Sequence, residues 1–173
     1  MKKAIKDRPQ EVENRKTFGH WELDTMVSSR GQSKGCLATF VECKTRFYVA
    51  IKMDDRTKDS MFLVISSLYN TLTSKLLKTF TVDRGKEFAC FEQVESEFGI
   101  PMYFADAYAA WQRGSNENSN GLLRELFPKK TDLAKVTLDK LTEALVLINN
   151  RPRKCLGFKT PFDMFKHEIK KLI

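Results

Sequence analysis

The period of the hydrophobic pattern changes along this chain, and that change limits the folds open to it. Over residues 20–28, Trp21, Leu23, Thr25 and Val27 alternate with His20, Glu22, Asp24 and Met26, the two-residue period of a strand. A polar turn from Ser28 to Gly35 follows. Residues 36–43 and 46–53 read as two more strands, and the short link through Lys44 and Thr45 predicts an antiparallel meander. From Asp54 the period lengthens. Asp54–Lys58 is a polar break able to cap a helix, after which Phe62, Ile65, Tyr69 and Leu72 recur at helical spacing. Leu77–Val82 is again β-rich, a helix over residues 87–98 stops at Gly99 with Pro101 beyond, and Met102–Phe104 reads as a short strand. A loop over 105–115 leads into a helix that starts near Ser115 or Asn116 and ends before Pro128. Leu138, Leu141, Leu145 and Ile148 mark an amphipathic helix over 137–150, stopped by Arg151-Pro152. A meander followed by strands separated by helices predicts an α/β fold, a five-stranded mixed sheet flanked by helices on both faces.

At 173 residues the chain suits one domain with a sizeable core, to which 13 Phe residues contribute much of the volume. Residues 1–18 are charged and aperiodic and read as an N-terminal arm or linker, with a core over 19–166 and a tail over 167–173. The four cysteines show no C-x-x-C spacing and only two histidines could join them, which argues against a structural zinc site or a disulfide framework. Reduced thiols in a cytoplasmic protein are the simpler reading. The N-terminus has no apolar segment of a signal peptide, and the longest apolar runs are far too short to span a bilayer, so no membrane partner is expected. Lys and Arg total 30 against 22 Asp and Glu, a net charge of +8. That surplus points to a polyanion such as nucleic acid, although a solvated basic surface would look the same.

Three carboxylates stand out. Asp24 lies mid-strand, where Asp is depleted and needs either an edge strand with one face in water or a role as a ligand. Asp83 ends a β-rich run and is followed by Arg84-Gly85, which suits an ordinary turn and also the strand end where open α/β sheets place ligands. Glu117 falls where a helix dipole favours an acid, but within Gly114-Ser115-Asn116-Glu117-Asn118-Ser119-Asn120-Gly121, a run of poor helix formers. Oxygen ligands on rigid elements suit Mg²⁺ or Mn²⁺. Two such ions about 3.5–4 Å apart can clamp the attacking and leaving oxygens of a phosphodiester displacement.

These acids sit in segments that resemble a known family. His20-Trp21-Glu22-Leu23-Asp24, Thr81-Val82-Asp83-Arg84-Gly85-Lys86-Glu87-Phe88 and Trp111-Gln112-Arg113-Gly114-Ser115-Asn116-Glu117-Asn118 resemble the DDE transposases of bacterial insertion sequences. The match is to the IS-thirty family within the ribonuclease-H-like integrase superfamily, and it covers residues 18–165. The 33 residues between Asp83 and Glu117 match that family's spacing, and the tail Asn150–Pro161 is similar to the end of an integrase core. The resemblance implies a ribonuclease-H-like fold and two Mg²⁺ or Mn²⁺ ions, with Asp24 bridging both, Asp83 on one and Glu117 on the other. It implies cleavage that frees a 3′-OH at a transposon end, then strand transfer into target DNA by a homodimer or higher oligomer acting at the bacterial nucleoid. A nuclease that only hydrolyses, or a catalytically silent DNA-binding relative, is the alternative. The family's loop prolines are absent from Asp106–Trp111, which should loosen that loop. Residues 1–18 are too short for the helix-turn-helix region such transposases carry, so the resemblance implies a core fragment, a truncated product or a domesticated relative.

The DNA contacts expected are Arg124, which sits where related enzymes carry a basic residue, together with Arg113, Lys86, Trp111 and the basic cluster Arg151, Arg153, Lys154 and Lys159. Trp111 and Tyr108 could stack on an unpaired base or fold onto the core. Of the rival acids, Glu87 reads as a cap or solvent residue, Glu125 as a partner of Lys129 at i+4, and Glu22 as a support behind Asp24. His20 reads as a strand-entry residue making a backbone hydrogen bond.

Overall fold

The computed structural model describes residues 1–173. Six strands form one sheet: β1 (Lys3–Ala4), β2 (His20–Val27), β3 (Cys36–Glu42), β4 (Tyr48–Met53), β5 (Thr79–Val82) and β6 (Met102–Phe104), in the order β1-β6-β5-β2-β3-β4. β2, β3 and β4 form the antiparallel meander that the short links require, and β5, β6 and β1 extend the sheet in parallel from the other side of β2. β2 is therefore central rather than an edge, and the solvent-facing explanation of Asp24 fails.

The helices are α1 (Gln10–Asn14), α2 (Lys58–Leu72), α3 (Phe91–Phe98), α4 (Gly114–Leu126), α5 (Leu138–Asn149) and α6 (Pro161–Lys170). Thr57, Thr137 and Thr160 cap α2, α5 and α6 by accepting from the third backbone N–H beyond. α3 ends at Gly99, whose φ of +68° is the left-handed conformation a glycine stop supplies. Alternation along β2 splits the core. Trp21 and Leu23 pack with α2, α3 and α6 on one face, and Met26 packs with α4 and α5 on the other. His20, Glu22 and Asp24 share the Met26 face, which places Asp24 beneath α4.

Two segments depart from the sequence reading. Residues 1–18 are folded: β1 pairs with Tyr103 and Phe104, Ile5 and Val12 are buried, and Arg8 donates to Thr81 Oγ1 at 3.0 Å. This is why the sheet has six strands rather than five. At the other end α6 spans part of the expected tail and seats Phe165 against Phe47 with ring centroids 4.0 Å apart, and edge-on to Phe18 and Trp21. Thr160 followed by Pro161 is a helix-start signal that hydrophobic periodicity alone does not register.

Candidate active site

The sheet register builds half of the site. β2 and β5 run parallel, with His20 opposite Thr79 and Glu22 opposite Thr81. Asp24 follows two residues after Glu22 on β2, and Asp83 two residues after Thr81, one past the end of β5, so the register carries the two acids toward one another. Each carboxylate has one oxygen fixed by backbone: Asp24 Oδ1 accepts the Thr25 N–H at 2.8 Å, and Asp83 Oδ1 accepts the Gly85 N–H at 2.7 Å. The other oxygens meet a single guanidinium. Arg113 Nη1 lies 3.4 Å from Asp24 Oδ2 and its Nη2 lies 3.4 Å from Asp83 Oδ2, with the arginine side chain only 11% exposed. Burial pushes the Asp24 carboxyl above the usual carboxylate range and the Asp83 charge adds to this, while Arg113 and the Thr25 N–H oppose it.

α4 is pinned to the strand carboxylates through its polar residues. Asn120 Nδ2 donates to Asp24 Oδ2 at 3.2 Å, and its Oδ1 accepts from the Tyr48 hydroxyl at 2.6 Å. Burial pushes the Tyr48 phenol up, so it stays a donor. At the helix start, the buried Glu22 accepts the Asn116 N–H at 2.8 Å, Asn116 Nδ2 donates back to the Glu22 carbonyl at 2.9 Å, and Thr39 Oγ1 donates to Asn116 Oδ1 at 3.1 Å. Glu22 thus satisfies a backbone donor that an α-helix leaves open. Arg15, at the end of α1, donates to Ser115 Oγ and lies 3.5 Å from Glu22 Oε1. Burial pushes the Glu22 carboxyl up, opposed by the Asn116 N–H and then by the charges of Arg15, Arg8 and Arg113.

Glu117 is treated differently. It is exposed, accepts no hydrogen bond and forms no ion pair, and it lines an open hollow with Gly114, Asn118, Gly121, Leu122 and Glu125. Asp24 and Asp83 are brought together, but no three acids, histidines or cysteines are grouped closely enough to hold a metal ion as the chain stands.

The rival acids serve the fold. Glu87, read as a cap or solvent residue, lies in the first turn of a 3-10 helix over Lys86–Cys90 but is fully buried: its Oε1 accepts from Thr25 Oγ1 at 2.9 Å and from Arg56 Nε at 2.8 Å, and its Oε2 is buried without a partner. Glu125 pairs with Arg151 Nη1 at 3.5 Å rather than with Lys129. His20 bonds through side chains, to Thr79 Oγ1 at 2.7 Å and Glu11 Oε1 at 3.0 Å, and burial lowers its pKa.

The expected DNA contacts separate into free and committed groups. Lys86 and Lys154 are exposed, as are Trp111 at 75% and Tyr108 at 100%. The loop that carries Tyr108 and Trp111 is bonded across Asp106 and Gln112. Asp106 N–H donates to Gln112 Oε1 at 2.8 Å, Gln112 Nε2 returns a bond to Asp106 Oδ2 at 3.0 Å, and Ala110–Arg113 forms a 3-10 turn. Arg124 is committed to the Val27 carbonyl at 2.7 Å. Arg153 is buried and donates to the Ile148 carbonyl at 3.1 Å, so it closes the end of α5 instead of lying on a basic surface. Sequence reasoning misses the roles of Arg113, Asn116 and Asn120. For the two asparagines a signal exists, since three- and four-residue steps from Asn116 through Ser119 and Asn120 to Leu123 trace the inner face of α4.

A mixed sheet with one acid on its central strand, a second at the end of the parallel neighbour and a polar helix above them defines a class, and residues 14–110 match the model of the integrase core domain family. The match takes in more than half of the chain, and the protein belongs to that family. Its sequence is 38% identical over 165 residues to transposase InsI for insertion sequence element IS30A of Escherichia coli (strain K12), covering 95% of this chain and 42% of the relative. It is 36% identical over 166 residues to the transposase for insertion sequence element IS4351 of Bacteroides fragilis, covering 95% of this chain and 50% of that one. The chain spans about half the length of the curated relatives it matches. Among solved structures, the catalytic core domain of BIV integrase superposes with a TM-score of 0.68 at 20% identity, over 91% of this chain and 100% of that one. The HTLV-2 integrase catalytic core domain in complex with magnesium gives 0.64 at 18% identity, over 84% and 94%. These likenesses establish the ribonuclease-H-like fold, as expected from the sequence.

Proposed function

We propose that this chain is the catalytic core of a DNA transposase, which frees a 3′-OH at an element end and joins it to target DNA. The observation that carries the reading is that Asp24 on β2 and Asp83, one residue past the end of the parallel neighbour β5, both turn their Oδ2 atoms to one guanidinium. A carboxylate pair that already attracts a positive charge, and offers hard oxygen donors, fits Mg²⁺ or Mn²⁺. In this reading Asp24 on β2 and Asp83 at the end of β5 would hold the ions, and Glu117 would complete the set from α4. The ions would supply charge neutralisation for the in-line displacement. The protein's own contribution is position: backbone N–H groups and Asn120 orient the carboxylates, and the Glu22–Asn116 contacts set the start of α4. The exposed Lys86 and Trp111 are offered to DNA, with Lys86 meeting phosphate and Trp111 stacking on an unpaired base. Synapsis of two ends implies a dimer or higher assembly working at the bacterial nucleoid.

The test uses the full chain with Mn²⁺, a short duplex ending in a pre-cut 3′-OH, and a plasmid target. Joined product from wild type that disappears in Asp24→Asn supports the reading. Hydrolysis without joining would assign a nuclease instead. DNA binding with no chemistry in either protein would assign a silent DNA-binding relative.

A further inference from the structure

Arg113 is held in an unusual way for an arginine so nearly enclosed. Its two terminal nitrogens reach Asp24 and Asp83 at 3.4 Å each, and Nη1 also approaches the Leu23 carbonyl at 3.4 Å. Charge-assisted hydrogen bonds are normally about 2.7–2.9 Å. The third nitrogen, Nε, is buried with no partner. The guanidinium is thus attracted by two charges but poorly bonded to either, with one donor unsatisfied. Its backbone belongs to the 3-10 turn Ala110–Arg113 that immediately precedes α4, four residues before Glu117, in the same turn as the exposed Trp111. The turn sets Arg113 two residues from the exposed Trp111, at the entrance to α4.

We propose that Arg113 is the resident counter-cation of the Asp24–Asp83 pair, displaced when divalent metal binds, and that a DNA phosphate receives the released guanidinium. This rests on the reading of Asp24 and Asp83 as metal ligands. Without DNA, arginine and metal compete for the same two oxygens, so metal binding is weakened. With DNA, a bidentate phosphate contact satisfies the guanidinium and removes the competitor. Because binding free energies are reciprocal, metal must then strengthen DNA binding through the same residue. Arg113 in this role is a positioning residue that makes metal loading conditional on DNA.

The experiment measures Mn²⁺ affinity of the full chain by the loss of the free-ion EPR signal, with and without a short DNA duplex. Wild type should bind Mn²⁺ at least about tenfold more tightly with DNA than without it, given that charges at this separation interact strongly in a partly buried site. Arg113→Gln should bind Mn²⁺ without DNA at least about tenfold more tightly than wild type, and DNA should then add little. Arg113→Lys, which keeps the charge but cannot span both carboxylates, should fall between and serves if the glutamine variant fails to fold. Equal or weaker DNA-free affinity in Arg113→Gln and Arg113→Lys would overturn the proposal. The site assignment is tested separately by adding Asp24→Asn to Arg113→Gln. Mn²⁺ binding that survives in the double variant shows that the ion is held elsewhere and overturns the site. Its loss keeps the site, and the single variants then decide the role of Arg113.

Discussion

The two faces of α4 are built to different rules. Its inner face carries Ser115, Asn116, Ser119 and Leu123, all buried, with Asn120 bonded to Asp24. Its outer face carries Glu117, Asn118 and Gly121, all exposed. Glu22 and Glu117 make the contrast concrete. Both are carboxylates at the same end of one helix, yet Glu22 is 1% exposed and accepts the Asn116 N–H, while Glu117 has no partner at all. The inner face commits its polar groups to holding the helix over β2. The outer face leaves its polar groups free for something that the folded chain does not supply.

If that division holds, substitutions on the two faces should separate activity from stability. Glu117→Gln is expected to have the largest effect. Losing a partner that merely supports a metal ligand costs about 10–100-fold, so loss of a ligand should lower strand transfer by at least about 100-fold. Unfolding free energy should stay within about 0.5 kcal/mol of wild type, because no contact is removed. A denaturation curve shifted by several times that amount would mean that Glu117 supports the fold after all, and the contrast between the faces would break.

Glu22→Ala is the reciprocal test. It leaves the buried Asn116 N–H without an acceptor and removes the carboxylate beside Arg15, which keeps Ser115 Oγ, a loss of about 2 kcal/mol in chemical denaturation. The isosteric Glu22→Gln keeps an acceptor for that N–H and tests the charge alone. Burial raises the folded pKa of Glu22 above its ordinary 4.5. Below that value both folded and unfolded chains are protonated and the stability contribution is fully present. As pH rises through the raised folded value the unfolded chain ionises first, and that stability is lost. The glutamine variant should therefore lose less stability than wild type as pH rises from 4.5. Parallel pH profiles in the two proteins would show that Glu22 does not titrate in that window.

How much of this is legible in the sequence depends on the range of the forces involved. The alternation along residues 20–28 places His20, Glu22, Asp24 and Met26 on one face, and the register then sets Asp24 beside Asp83, because strand geometry is local and repetitive. Glu87 reads as a cap or solvent residue because the pattern around it is that of a helix start. Its burial depends on Thr25 and Arg56, 62 and 31 positions away, which no local pattern encodes. Arg153 misleads for a related reason. A run of cations looks like a surface patch, whereas this one's guanidinium turns inward to the Ile148 carbonyl at the end of α5. The folding of residues 1–18 is equally hidden. β1 is only two residues long and takes its stability from the neighbouring strand rather than from any periodicity of its own.

The finest test of the two faces is Gly121. It lies on the outer face one turn beyond Glu117, and a methyl group added there would meet nothing within 4 Å. A glycine inside a helix costs about 0.5–1 kcal/mol relative to alanine. The fold has no use for this cost, since neither close packing nor a positive φ requires a glycine at that position. Gly121→Ala should therefore raise the unfolding free energy by about 0.5–1 kcal/mol. If the bare helix surface exists so that DNA can approach beside Glu117, the same change should weaken binding of a short duplex in a fluorescence titration. Greater stability with unchanged DNA affinity would leave Glu117 as a ligand but would move the DNA path off the outer face of α4.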